Sequence, residues 1–174
     1  RGWVVVASLA VCIATWFLFE RTKIGAYLRA GTENPKLLQA FGVNVPLLYE
    51  GAKEQIETAL DLGVKIFFTS AGSPKKFTKL IKDRGGLVVH VTSSPGLALK
   101  CEDAGVDAVV AEGFEAGGHN GKDEITTLCL IPQIVDAVSI PVIAAGGIGT
   151  GRTMAAAFAL GAEAVQIGSR FVAS

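Results

Sequence analysis

From residue 41 onward, short β-branched and apolar runs alternate with longer, mostly polar stretches. The runs are residues 43–48, 64–69, 87–91, 106–111, 141–145 and 164–167, mostly about 20 residues apart with one longer gap before the fifth. Continuous apolar runs of this length read as strands buried on both faces, and the stretches between them suit crossover helices. Glycine closes four of those stretches just before a run, at Gly63, Gly85, Gly105 and Gly161, where a left-handed residue can stop a helix. Ser73-Pro74 and Ser94-Pro95 mark helix starts, since proline at the first helical position loses no hydrogen bond. Six βα units in succession predict an α/β fold, a partial (β/α)8 TIM barrel rather than a doubly wound sheet.

The first forty residues have a different pattern. Residues 3–19 carry no charge, and Glu20, Arg21 and Lys23 follow at once. The run reads as an apolar, membrane-like helix, with Arg21, Lys23 and Arg29 resembling a cytoplasmic flank. A full span needs about twenty apolar residues, so a buried helix or a signal peptide's apolar core are the alternatives. Only Arg1 precedes the run and no small-residue cleavage site closes it, which counts against a signal peptide. The expectation is a helix and linker over residues 1–40, with membrane contact through residues 3–19, and a barrel over residues 41–174.

Composition narrows the function. The chain has 174 residues, half of them apolar, enough to bury a core within one domain. Sixteen basic residues balance sixteen acidic ones, which removes the electrostatic case for nucleic acid. Cys12, Cys101 and Cys129 are scattered, so free thiols and a reducing, cytoplasmic location for the barrel are expected. No group of His, Cys and carboxylates has metal-ligand spacing.

The candidate chemistry sits in three loops that follow predicted strands. Residues 112–121 place His119 among Gly113, Gly117, Gly118 and Gly121. Glycines let backbone approach a flat cofactor closely, and imidazole titrates near neutrality. Gly146-Gly147-Ile148-Gly149 and Gly168-Ser169 follow the fifth and sixth runs, where barrel enzymes bind phosphate through backbone N–H groups and helix N-termini. Two nucleotide motifs fail on inspection. Gly121-Lys122 is followed by Asp123 and preceded by Ala116 where a Walker loop needs glycine, and Gly147-Ile148-Gly149-Thr150-Gly151 has the wrong spacing for a dinucleotide turn. His90, in a strand, either lines the pocket or is a hydrogen-bonded barrel histidine.

Residues 41–174 resemble the nitronate monooxygenase family (formerly 2-nitropropane dioxygenases), whose FMN-dependent barrel is shared with flavin enoyl-ACP reductases. The resemblance rests on Gly42-Val43-Asn44-Val45-Pro46-Leu47-Leu48, Phe114-Glu115-Ala116-Gly117-Gly118-His119, Pro141-Val142-Ile143-Ala144-Ala145-Gly146-Gly147-Ile148 and Gln166-Ile167-Gly168-Ser169-Arg170-Phe171. It implies FMN as cofactor, with Gly118, Gly146, Gly147, Gly168 and Ser169 binding it and Asn44 and Gln166 at the ring. It implies His119 as the base that takes the proton α to a nitro group. Substrates would be a nitronate or nitroalkane and O2, or in the alternative an enoyl thioester reduced with NAD(P)H.

Residues 1–40 resemble branched-chain amino-acid ABC transporter permeases, in Arg21-Thr22-Lys23-Ile24-Gly25 and Arg29-Ala30-Gly31-Thr32-Glu33-Asn34-Pro35. That reading makes the chain a fusion, and a nonfunctional product or a transport component is the third possibility. Against the family pattern the first strand, with its flavin-holding loop, and the last strand are missing. Open strand edges are therefore expected to cause self-association and weak FMN retention.

Overall fold

In a computed structural model of the chain, residues 42–172 are described, together with residue 3, residues 11–13 and residues 15–17. The chain divides into two units, Arg1–Phe41 and Gly42–Ser174. In the first, the described residues are helical and exposed, and the Thr15 hydroxyl donates to the Val11 carbonyl. Among the described residues no helix is long and apolar enough to cross a membrane. The membrane-like helix expected over residues 3–19 is corrected to that extent, and the rest of that segment lies outside the described residues. An uncharged run of seventeen residues falls short of the roughly twenty that a span requires.

The second unit is a six-stranded parallel sheet in the order β1-β2-β3-β4-β5-β6. Its strands are β1 (Val43–Pro46), β2 (Ile66–Ser70), β3 (Leu87–Thr92), β4 (Ala108–Glu112), β5 (Val142–Ala145) and β6 (Ala164–Gln166). Between them run α1 (Ala52–Asp61), a 3-10 turn (Pro74–Lys76) with α2 (Thr78–Asp83), α3 (Pro95–Asp103), α4 (Thr127–Ala137) and α5 (Gly151–Ala159), and α6 (Ser169–Val172) follows β6. Sequential order with a helix in every crossover is the winding of a (β/α) barrel; a doubly wound sheet reverses its strand order partway. All six predicted runs form strands. β2 and β4 begin two residues later than their runs, because Val64 N–H donates to Ala59 O and Val106 N–H to Cys101 O, tying these residues to the preceding helix. Gly63, Gly85, Gly105 and Gly161 all have positive φ, as the helix-stop reading requires.

Parallel register sorts the side chains onto two faces. One carries a core of Val89, Ala108, Val110 and Ala145, with Ile66, Phe68, Val91 and Ile143 packed against it. The other carries Val45, Phe67, Val88, Val109, Val142 and Ala144, buried together with Ile56, Ile81, Ala98, Leu130, Ile131 and Ile134 of the helices. In a barrel winding the first face is the interior and the second meets the helix layer.

His90 belongs to the helix-side face, alternating with Val89 and Val91 of the interior set. It is 4% exposed, and its Nδ1 lies 2.7 Å from Thr69 Oγ1. Burial lowers its pKa from the ordinary 6.5 to about 4, against a smaller upward push from a bond with the Gly72 backbone. Of the two roles that the sequence left open, this environment is that of a hydrogen-bonded structural histidine.

Two outcomes follow from this packing. Ile131→Ala, at a fully buried position, should cost about 2–5 kcal/mol in denaturant unfolding, while Leu99→Ala on the solvent side of α3 should stay within about 0.5 kcal/mol. His90 is held neutral in the fold, so between pH 6.5 and 4 the unfolded chain binds a proton that the native chain does not. Stability should therefore be full above pH 6.5 and fall by up to about 3 kcal/mol as pH drops toward 4. His90→Gln should flatten that slope, and an unchanged slope in unfolding curves across the window would assign the loss to other groups.

Candidate functional site

The carboxyl ends of β4, β5 and β6 converge on a cleft of about 790 Å3. Register fixes its floor: Glu112 pairs with Ala145, and Ala145 with Gln166, so the three share the interior face and all line the cleft. Ala145 also belongs to the interior core, so the floor of the cleft is the top layer of packed side chains.

One wall is the turn after β5. Gly146 and Gly147 have φ of 106° and 65°, and a Cβ at Gly146 would stand 2.7 Å from Thr127 Oγ1 and 2.9 Å from Gly113 O. Only glycine fits there, on conformational and steric grounds alike. The turn runs into α5, whose N-terminus is closed by a reciprocal cap: Thr153 N–H donates to Thr150 Oγ1 at 3.3 Å, and Thr150 N–H to Thr153 Oγ1 at 3.1 Å. The N–H of Gly149 also donates to Thr153 Oγ1, at 3.2 Å. Thr150 and Thr153 both line the cleft, which places the positive end of α5 at its edge.

Gly168, Ser169 and Arg170, at the start of α6, form the opposing wall. A Cβ at Gly168 would meet nothing within 4 Å, so no protein atom accounts for glycine at this point. The amides of Gly147 and Gly168 have no acceptor among the described residues. A floor with Ala145 between two polar side chains, two glycine turns with free amides and a helix N-terminus suit a planar ring that carries both polar ring atoms and a phosphate. The volume also falls within the about 300–1,000 Å3 of cofactor sites.

The loop over residues 113–121 crosses between these walls. Gly121 is packed on Ser93, just past β3, while a Cβ at Gly117 would lie 3.9 Å from Ser169 Oγ. Asn120 closes the loop by donating from Nδ2 to the Phe114 and Ala116 carbonyls at 3.0 and 3.1 Å. His119 sits between the two anchor points and is exposed.

Of the residues singled out in the sequence, the structure brings Gly146, Gly147, Gln166, Gly168 and Ser169 together around one cleft. Gly118 and His119 are exposed on the crossing loop and are not among the residues lining it. Asn44 is exposed on β1; its register partners run through Phe68 and Val89 to Ala108, which precedes Glu112 on the same face of β4. It stands lower in the sheet than the row that floors the cleft.

Glu112, Glu115, Thr127, Thr153 and Arg170 had no role assigned from the sequence. Glu112 is half-buried, its carboxyl has no hydrogen-bond or ion-pair partner among the described residues, and burial pushes that carboxyl's pKa upward. It ends an apolar run in phase with Val110 and Ala108, the one sequence signal that could have marked it as facing inward. Burial also pushes Glu115 up, but bonds from Thr127 outweigh it and hold that carboxyl below the usual range.

The nitronate monooxygenase family profile matches residues 20–174. A probable nitronate monooxygenase of Staphylococcus saprophyticus is 36% identical over 150 residues, covering 78% of this chain and 42% of that protein. One from Staphylococcus aureus is 42% identical over 131 residues, covering 70% of this chain and 37% of that protein. Among solved structures, FabK from Thermotoga maritima superposes with a TM-score of 0.73 at 49% identity, over 76% of this chain and 42% of that one. A nitroalkane oxidase from Streptomyces ansochromogenes gives a TM-score of 0.65 at 36% identity, over 71% of this chain and 38% of that one. The chain thus spans less than half the length of these relatives.

The permease assignment is corrected over residues 20–40, which hold both permease-like words and lie within the same match. The permease words were five and seven residues long, too short to outweigh a pattern extending over the rest of the chain. With the family profile covering most of its length, the chain belongs to the nitronate monooxygenase family.

Proposed function

We propose that residues 41–174 form the core of an FMN-dependent oxidoreductase that oxidises nitronates or nitroalkanes with O2. The observation that carries this reading is the convergence of two glycine turns, the α5 N-terminus and Gln166 on one cleft that Glu115, Ala116 and Gly117 of the histidine loop also line. Gly147 and Gly168 would hold the FMN phosphate through their amides, with Gly146 and Ser169 shaping the turns and the α5 dipole favouring the dianion. Gln166 would offer its amide to the ring from the cleft floor, while Asn44 and Gly118 would reach the cofactor only from the edge of the site. FMN, when bound, supplies the electron transfer between substrate and O2.

His119 would act as the base. Its imidazole, exposed on the loop that crosses the mouth, would take the proton α to the nitro group and hold it while the anionic nitronate remains beside the ring. Arg170, the one cation lining the cleft among the described residues, would favour that anion.

A second reading keeps the cofactor and changes the reaction to NAD(P)H-dependent reduction of an enoyl thioester. The 49% identity to FabK favours it, and the phosphate turns serve both chemistries equally. NAD(P)H consumption matched mole for mole by an enoyl thioester, without nitronate-dependent O2 uptake, would select it.

Gly168→Val tests the cofactor site cleanly, because open space and an ordinary φ mean that the fold itself tolerates a side chain there. FMN affinity, read by quenching of flavin fluorescence, should fall at least tenfold at unchanged thermal stability; equal affinity would remove the phosphate assignment. His119→Ala should lower nitroalkane oxidation by about 10²-fold or more and spare preformed nitronate, which needs no deprotonation. Equal losses on both substrates would make His119 a binding residue.

A further inference from the structure

Three segments meet at one hydroxyl. Thr127, the first residue of α4, is 7% exposed; its N–H and its Oγ1 both donate to Glu115 Oε2 at 2.8 Å, and Oγ1 also lies 3.0 Å from Gly146 O. Glu115 comes from the histidine loop, Gly146 from the phosphate turn. The surroundings leave no slack: a Cβ at Gly113 would stand 2.1 Å from Thr127 Oγ1, and one at Gly147 would stand 3.2 Å from Glu115 Cβ. The helix's own N-cap residue, Thr126, makes no side-chain cap, so the carboxylate from the loop takes over that position. A carboxylate at a helix N-terminus that accepts two bonds is held by charge-assisted hydrogen bonding and by the helix dipole together.

Around the cleft this is the only bonded link by which a side chain of the histidine loop reaches the helix-sheet scaffold among the described residues. The Asn120 bonds stay within the loop, and Phe114 N–H to Ile125 O and Gly113 N–H to Ala145 O are main-chain contacts at its base. Glu115 lines the cleft beside Gly146 and Gly147.

We propose that Glu115 is a positioning residue which, through Thr127, sets the pose of the His119 loop against the glycine turn, so that filling the turn and ordering the loop are coupled. The coupling half rests on the cofactor reading above; the latch half does not. A ligand in the glycine turn fixes Gly146 and Gly147, these bear on Thr127 Oγ1 and Glu115 Cβ, and the loop has fewer poses left. The same bonds in reverse let the ordered loop favour the bound turn, as linkage requires.

Hydrogen exchange at the amides of residues 114–120 tests both halves. In the protein without cofactor, Glu115→Ala and Thr127→Val should speed that exchange roughly tenfold or more, Thr127→Ser, which keeps the hydroxyl, should stay close to the parent, and Glu115→Gln, which keeps an acceptor oxygen without the charge, should fall between. Adding FMN should slow exchange in the parent loop and leave it unchanged in Thr127→Val. With FMN bound, Glu115→Ala should lose about 10²-fold in kcat with little change in nitroalkane KM, and Glu115→Gln should recover part of it.

Unchanged exchange in Glu115→Ala overturns the latch, and so does Thr127→Ser exchanging as fast as Thr127→Val, which would leave the hydroxyl no part in it. Bound FMN, seen by fluorescence quenching, without slowing in the parent loop overturns the coupling. Absence of quenching in the parent counts against the cofactor reading and the coupling built on it, and leaves the cofactor-free exchange to decide the latch.

Discussion

The close approach of Gly113 and Gly146 to Thr127 is the constraint on which the site depends. The parallel ladder brings β4 and β5 side by side, and Gly113 N–H continues it one step further to the Ala145 carbonyl. Beyond that bond the chain after β4 and the chain after β5 must diverge around the first turn of α4 in a space that admits no Cβ. Glycine at both positions resolves the crowding and also sends the two loops in different directions, one across the mouth and one into α5. The cleft lies between the two paths.

The electrostatics of the cleft are arranged by neighbours rather than by net charge. The chain is formally neutral, and the cleft mixes two carboxylates with one arginine. Yet the two acids behave oppositely. Glu115 has donors from Thr127 and stays ionised more readily than usual, while Glu112 has burial without donors and holds its proton more tightly. Burial raises the cost of ionising the carboxyl on the floor, whereas the donors of Thr127 favour the ionised, accepting form of Glu115.

Family membership and fold agree on where chemistry belongs in such an architecture. Catalytic and binding groups of parallel barrels collect at the carboxyl ends of strands because loops there diverge around a rigid ladder, while the opposite ends serve packing. In this chain the interior core of Val89, Ala108, Val110 and Ala145 supplies the rigid base, and the polar groups of the cleft stand in its top row and in the loops beyond it.

The strand pattern, the glycine helix stops and the two glycine turns were legible in the sequence, because each is a local property: burial on both faces writes a continuous apolar run, and a left-handed residue selects glycine. Gln166, Gly168 and Ser169 were legible as a motif for the same reason. The permease reading did not hold over residues 20–40 because a few short words do not specify one fold, and the membrane-like reading of residues 3–19 falls mostly outside the described residues. The sequence also could not tell which glycines are required by crowding, as Gly146 is by Thr127, and which face open space, as Gly168 does. Nor could it tell that His90 turns toward the helices, or that Glu115 bonds to a residue twelve positions away. Those facts depend on register between strands and on how two loops pass one another. Both are set only when the ladder closes and segments distant in sequence compete for the same few cubic ångströms.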